Sequence, residues 1–363
     1  MANPPTSIAL DPKLKSFADT NPEDLELFKL REKINVDKCT IRIRPFQPED
    51  AEQVRELFWV GLTVGPPSAR GAALRGSFMR PNSIILYSLF LFGLYLAIIS
   101  SPPSPPHYAA ILNLPFESVS IEDIAGSLSC RRLIGMFLSI VSIALFIAHR
   151  YHLGKAFRDL ASFELNCPDL MNIAQHYGVS HILDEKDGIE GQKFDSRARY
   201  TGGTGGKSSA CGFWVAELLA PDDGKPTGFI VGSVGLDNTA VPNDPTTAQL
   251  RRMSVHPSLQ RRGIGRRLIS QALSHASLLH PDGLRIKAVE LVTTGFQPSA
   301  VGIYESFGWK RVKTDLGAPG RWWLDWYCVH YRVELGNGHY DRVAGDTDFY
   351  EVGGSPGPKI LGS

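Results

Sequence analysis

Cysteine is scarce and scattered. The five residues, Cys39, Cys130, Cys167, Cys211 and Cys328, are odd in number, and no two stand at metal-ligand spacing. This argues against a metal centre or a disulfide framework and fits a reducing compartment. Excess charge is also missing: 38 Lys and Arg against 37 Asp and Glu leave a net charge of +1. A general nucleic-acid binder would need basic residues spread along one face, so no nucleic-acid partner is expected. The N-terminal MANPPTSIALDPKLKSF has no apolar core of signal-peptide length. No internal repeats are visible, and Lys and Arg are absent from Pro81 to Cys130.

Long uncharged runs are present, and there are two of them. SIILYSLFLFGLYLAIIS (Ser83 to Ser100) and LIGMFLSIVSIALFIA (Leu133 to Ala148) carry no charge. As helices they would cover about 27 and 24 Å at a rise of about 1.5 Å per residue. The hydrocarbon core is about 30 Å thick on average and about 27 Å in the endoplasmic reticulum. Two buried core helices are the other reading, but two runs without a polar face would need an unusually large core to cover them. A membrane hairpin spanning residues 83–148 is therefore expected, either crossing the lipid bilayer or re-entering it, and its short runs suit the thin endoplasmic-reticulum membrane. Arg70, Arg75 and Arg80 precede the first run, and Arg150, Lys155 and Arg158 follow the second, which points both flanks to the cytosol. Arg131 and Arg132, on the loop side, weigh against that orientation.

The densest local signal is VHPSLQRRGIG, Val255 to Gly265. A glycine-containing turn that feeds a helix leaves free backbone N–H groups at the positive end of the helix dipole, where a phosphate can sit. Arg261, Arg262, Arg266 and Arg267 add positive charge. The following segment places Ile264, Leu268, Ile269, Ala272, Leu273 and Ala276 at steps of three and four, one buried stripe. A phosphate-bearing cofactor is expected at the turn.

Gln260-Arg261-Arg262-Gly263-Ile264-Gly265 resembles motif A of the GNAT superfamily of acyl-CoA-dependent N-acetyltransferases, and the surrounding order of elements resembles it too. CGFWVAELL and TGFIVGSVGLDN read as a hairpin around PDDGKP, and AQLRRMSVHP as the strand entering the turn. KAVELVTT then reads as a strand, QPSAVGIYESFGW as a short helix and WWLDWYCVHYRVEL as a last strand. FWVAE, YESFGW and DLMNIAQHY are similar to the membrane-bound Camello branch. The resemblance, covering about Thr40 to Glu334, implies an α/β (α+β) fold: a mixed, mainly antiparallel sheet flanked by helices, with an inserted transmembrane helical hairpin. It implies acetyl-CoA as cofactor, with coenzyme A as product and no metal. The pantetheine arm would lie along Met253, Ser254 and Val255, and the pyrophosphate would sit on Gln260, Arg261, Arg262, Gly263, Ile264, Gly265 and Arg266. Tyr304 would be the proton donor to the coenzyme A sulfur.

The base that takes the proton of the acceptor amine stays open among Glu217, Asp237 and a water chain. His256, just before Pro257, reads as a cap on the strand end. TGGTGGKSS (Thr201 to Ser209) mimics a phosphate loop but lacks the first glycine and a leading strand, so it reads as a linker. The expected organisation is a mobile tail (1–37), an acetyltransferase domain (38–335) interrupted by the hairpin and by a flexible loop (188–210), and a disordered tail (336–363). TIRIR (Thr40 to Arg44) begins the domain, and PEDAEQVRELFWVGL is its first helix. The leading functional expectation is a membrane-anchored N-acetyltransferase acting on the amine of a small molecule or amino-acid conjugate. The alternatives are an acetyltransferase of protein lysines or N-termini and a catalytically idle acyl-CoA-binding scaffold.

Overall fold

The computed structural model describes residues 40–99, 130–179, 210–220, 224–241, 244–280, 283–316, 324, 326–336 and 350–351. The expected tail 1–37, nearly all of the loop 188–210 and most of the tail 336–363 lie outside the described residues. In chain order the elements are β1 (Thr40–Pro45), α1 (Ala51–Thr63), α2 (Ala69–Gly76), α3 (Pro81–Ile99), α4 (Cys130–Leu165), α5 (Pro168–Met171) and α6 (Ile173–Tyr177). There follow β2 (Gly212–Leu219), β3 (Pro226–Asp237), β4 (Thr247–Val255), α7 (Ile264–Ser277), β5 (Ala288–Thr294), α8 (Pro298–Ser306), β6 (Lys310–Leu316), β7 (Tyr327–Glu334) and β8 (Tyr350–Glu351). Two compact units result, the second comprising Ala73–Lys155 and Gly317–Trp326.

The first unit is built on one sheet of order β6-β7-β5-β4-β3-β2-β1-β8. Every neighbouring pair is antiparallel except β4 and β5. Both faces of β2 are covered, so the strand is buried throughout. Trp214, Ala216 and Leu218 enter one core with Leu268 and Leu273 of α7. Phe213 and Val215 enter the other with Leu57 and Val60 of α1 and Ile173 and Tyr177 of α6. The stripe expected on α7 is buried in full.

Three local features depart from the sequence reading. KRVKTDL forms β6, the edge strand, whose residues are almost all exposed; with no buried face it shows no apolar alternation. DLMNIAQHY is two short helices, because the Asn172 side chain accepts from the Gln175 amide at 3.1 Å and starts a new helix. Tyr350 and Glu351, in the segment read as a tail, pair with β1.

In the second unit, α3 and the first part of α4 are long and apolar enough to cross a membrane. Their large side chains point outward, with Leu91 61 % and Phe137 66 % exposed. The two backbones meet at glycines: a Cβ on Gly93 would lie 2.7 Å from the Gly135 carbonyl oxygen, and one on Gly135 would lie 2.5 Å from that of Gly93. Gly93-x-x-x-Ala97 thus faces Gly135-x-x-x-Ser139, small residues that allow close helix approach. Ser88, Ser139 and Ser142 each donate to the carbonyl four residues back, which satisfies their hydroxyls without water. Arg150 closes the apolar stretch, donating to the Leu74 carbonyl at 2.7 Å and lying 4.2 Å from the Phe78 ring centroid.

Candidate active site

The site begins where two parallel strands part. β4 and β5 pair only at Thr247, Ala248 and Gln249, opposite Ala288, Val289 and Glu290. β4 then continues to Val255 on β3, and β5 continues to Thr294 on β7. Between them a wedge opens, and the backbone groups of β4 on that side have no ladder partner from β5. An extended ligand that carries amides can add there as a strand.

β4 carries a bulge beside this wedge. The step from Ser233 to Gly235 on β3 is matched by the longer step from Ser254 to Arg251 on β4, and Arg252 has φ 54°. A non-glycine residue in this left-handed region costs on the order of 1–3 kcal/mol unless its surroundings hold it there. Here they do. Arg252 donates to Asp169 at 2.6 and 2.8 Å, donates also to Glu164, and lies 5.5 Å from the Phe58 ring centroid. Ser233 donates to the Arg252 carbonyl at 3.1 Å. Burial alone would lower the Arg252 pKa, but Asp169 and then Glu164 raise it well above the ordinary value.

At the open end of the wedge, β4 runs into the turn. His256 Nδ1 accepts from the Ser258 amide at 3.3 Å, the capping role read from its place before Pro257. Arg261 and Gly263 both have positive φ, 66° and 80°. Alternating left-handed residues curl successive amides into a concave nest for an anion. Gly263 caps α7 with no side-chain hydrogen bond, so the first helical amides face the turn. The two glycines do different jobs. No atom lies within 4 Å of a Cβ placed on Gly263, where the constraint is the positive φ, whereas a Cβ on Gly265 would lie 2.9 Å from Met253 Cε. Gln260 Nε2 reaches the Val255 carbonyl at 3.5 Å. Arg266 donates to Ser306 at 3.1 Å and lies 5.2 Å from the Phe307 ring centroid, tying α7 to the end of α8.

Tyr304, on α8, is brought against this strand. Its hydroxyl lies 3.7 Å from Met253 Sδ, and its ring meets Trp309 edge-on at 5.8 Å. Burial pushes its pKa up to about 12, so the phenol holds its proton at neutral pH. Ser254 faces the other way, toward α1, and donates to the Leu57 carbonyl at 3.2 Å. The structure thus gathers Met253, Ser254 and Val255, the turn and Tyr304 around one wedge.

Glu217 sits two strands away on β2. It accepts from Arg42 and Arg44 at 2.8 Å each, while Arg44 also grips Asp50 at the start of α1. Burial would raise its pKa, but Arg44 and then Arg42 outweigh that and hold it below the usual carboxylate range. Asp237 is buried and accepts from His176 and Thr239, which hold it well below the ordinary value against the opposing effect of burial. Carboxylates so tied are weak proton acceptors. The sequence reading missed Asp169, Glu164 and Arg252. One signal was available: LRRMSV puts two charged residues in succession inside an alternating strand, which marks an irregularity.

Residues 209–311 match the family described as Acetyltransferase (GNAT) domain. N-acetylaspartate synthetase of Danio rerio is 31% identical over 176 residues, 46% of this chain and 55% of that protein. The chain therefore spans about half the length of this curated relative. Among solved structures, a putative streptothricin acetyltransferase from Bacillus anthracis in complex with acetyl coenzyme A is 19% identical, with 36% of this chain and 65% of that chain covered and a TM-score of 0.28. An acetyltransferase of GNAT family from Staphylococcus aureus is 18% identical, with 47% and 77% covered and a TM-score of 0.27.

Proposed function

We propose that the GNAT acetyltransferase domain carried by residues 209–311 works as an acetyl-CoA-dependent N-acetyltransferase held at a lipid bilayer by α3 and α4, with a small amine or amino-acid conjugate as acceptor. The observation that carries this reading is the β4–β5 wedge, which opens directly onto the positive-φ turn. When bound, acetyl-CoA supplies the acetyl thioester: the amine nitrogen bonds to the carbonyl carbon, the carbon–sulfur bond breaks, the sulfur leaves with one proton and the amine gives one up.

Each part of the wedge then has a task. The free side of Met253 to Val255 pairs the amide-bearing arm and points backbone donors at the thioester oxygen. The turn from Gln260 to Arg266 holds the pyrophosphate, and Tyr304 donates the proton that the sulfur takes. Glu217 acts as a brace between β1, β2 and α1, and the amine proton leaves through water. The N-acetylaspartate synthetase relative supports a small amino-acid acceptor. For the membrane part, Arg70, Arg75 and Arg80 before the hairpin and Arg150, Lys155 and Arg158 after it favour a cytosolic face for its chain ends, against Arg131 and Arg132 on the loop side. α3 is 19 residues long, about 28 Å at about 1.5 Å per residue, which suits the endoplasmic-reticulum membrane.

The test is calorimetric titration of acetyl-CoA into wild type and Gly263→Val. A β-branched residue resists φ 80°, so affinity should fall at least about tenfold. Unchanged binding by a folded variant would overturn the phosphate assignment. Wild type that binds acetyl-CoA yet releases no coenzyme A across an amine library would overturn the enzyme reading.

A further inference from the structure

Successive side chains of a regular strand point to opposite faces of the sheet. Arg251 and Arg252 are successive, yet both guanidiniums reach one carboxylate. Arg252 Nε lies 2.6 Å from Asp169 Oδ2, and Arg251 Nη2 lies 3.6 Å from the same oxygen. The left-handed residue in the bulge brings the two side chains toward the same face. Beyond the bulge, Ser254 faces α1, while Met253 packs on Gly265 and Tyr304. Taking the extra residue out of register would exchange these faces and turn each amide of β4 that borders the wedge.

We infer that Asp169, with Glu164, is a positioning group for the transfer reaction: by clamping Arg252 it holds β4 in the bulged register and so sets where the backbone donors meet the thioester carbonyl. This rests on the acetyltransferase reading above. The Arg252–Asp169 pair is dry, with side chains 5 % and 2 % exposed, and so is little screened by water, while Glu164 is partly exposed. It comes from outside the sheet: Glu164 ends α4 and Asp169 opens α5. Its partners on the strand side are Phe58 of α1 and Ser233 of β3. Arg251 adds a second, looser tie, reaching Asp237 at 3.3 Å.

The test compares Arg252→Ala, Arg252→Gly and Asp169→Asn in the full chain. Three readouts are taken: affinity for coenzyme A, turnover of acetyl-CoA, and the carbonyl stretching frequency of bound acetyl-CoA labelled with carbon-13. Arg252→Ala and Asp169→Asn should lose turnover by about 10² and lose the carbonyl shift, while coenzyme A, held at the turn, binds as in wild type. Glycine takes positive φ freely, so Arg252→Gly should keep the bulge without the clamp and exceed Arg252→Ala by about tenfold. An ion pair that merely stabilises the fold predicts the reverse, since glycine weakens a strand more than alanine. Arg252→Gly no faster than Arg252→Ala, or unable to fold, overturns the inference, and so does Asp169→Asn with normal turnover and carbonyl shift. If Asp169→Asn does not fold, the Ala and Gly pair decides. Wild type that fails to bind acetyl-CoA removes this inference and the enzyme reading together, whereas an active wild type with indifferent variants removes this one alone.

Discussion

Tyr304 is the proton donor in the proposed reaction, and its burial bears on that role. Enclosure among Met253, Trp309 and Tyr331 raises its pKa to about 12, so the phenol is protonated at neutral pH but is a weaker acid than a free tyrosine, and in the proposed reaction it gives up its proton only as the sulfur leaves. Tyr304→Phe retains the ring contacts and removes only the hydroxyl. Stability should therefore change little, while turnover falls by about 10² to 10⁴ and acetyl-CoA affinity stays near wild type. Steady-state release of free coenzyme A at several pH values checks this. A Phe variant turning over within about twofold of wild type, far short of the usual contribution of proton transfer, would leave the tyrosine a packing residue. Arg261 is a second residue of interest, because positive φ at an exposed arginine is consistent with the proposed anion-holding turn.

At the scale of elements, the α3–α4 pair depends on two glycines. A Cβ at residue 135 would stand 2.5 Å from the Gly93 carbonyl oxygen and 2.6 Å from the Ala97 nitrogen, both backbone atoms that cannot turn aside. Gly135→Val should therefore force the helices apart at a cost of about 1–3 kcal/mol, read as a lowered unfolding temperature of the purified protein in detergent. Gly76→Ala is the control, since no atom lies within 4 Å of its Cβ position. An unfolding temperature for Gly135→Val equal to that of the control would show that the close approach contributes nothing. β4 makes the complementary point: its bulge is held by side chains from α4 and α5, distant in sequence.

At the scale of the whole molecule, the proposed anchor is the apolar surface of α3 and α4. Of the windows that could span a bilayer, 11% and 17% of the residues are buried among the described residues. The proposed lipid cover suits an uncharged surface on which Ser88, Ser139 and Ser142 donate to carbonyls of their own helices. Wild type should stay in the membrane fraction through a carbonate wash, and replacement of residues 83–148 by a short polar loop should release it. Extraction of the wild type by carbonate would end the anchoring proposal.

The sequence alone determined what depends on neighbours along the chain. Turn chemistry, the buried stripe of α7, the strands with an apolar face and the two uncharged runs are local signals, because periodicity and composition act within a few residues. It did not reveal β6, whose exposed side chains carry no period, or the break at Asn172, where one side chain restarts a helix. Only the tertiary structure decided what depends on distant partners: that β4 and β5 part after Gln249, that Arg42 and Arg44 claim Glu217, and that Asp169 and Glu164 hold Arg252 at positive φ. Charges far apart in sequence meet only when the fold brings them together, and their pairing, against the opposing effect of burial, then sets the direction of their pKa shifts.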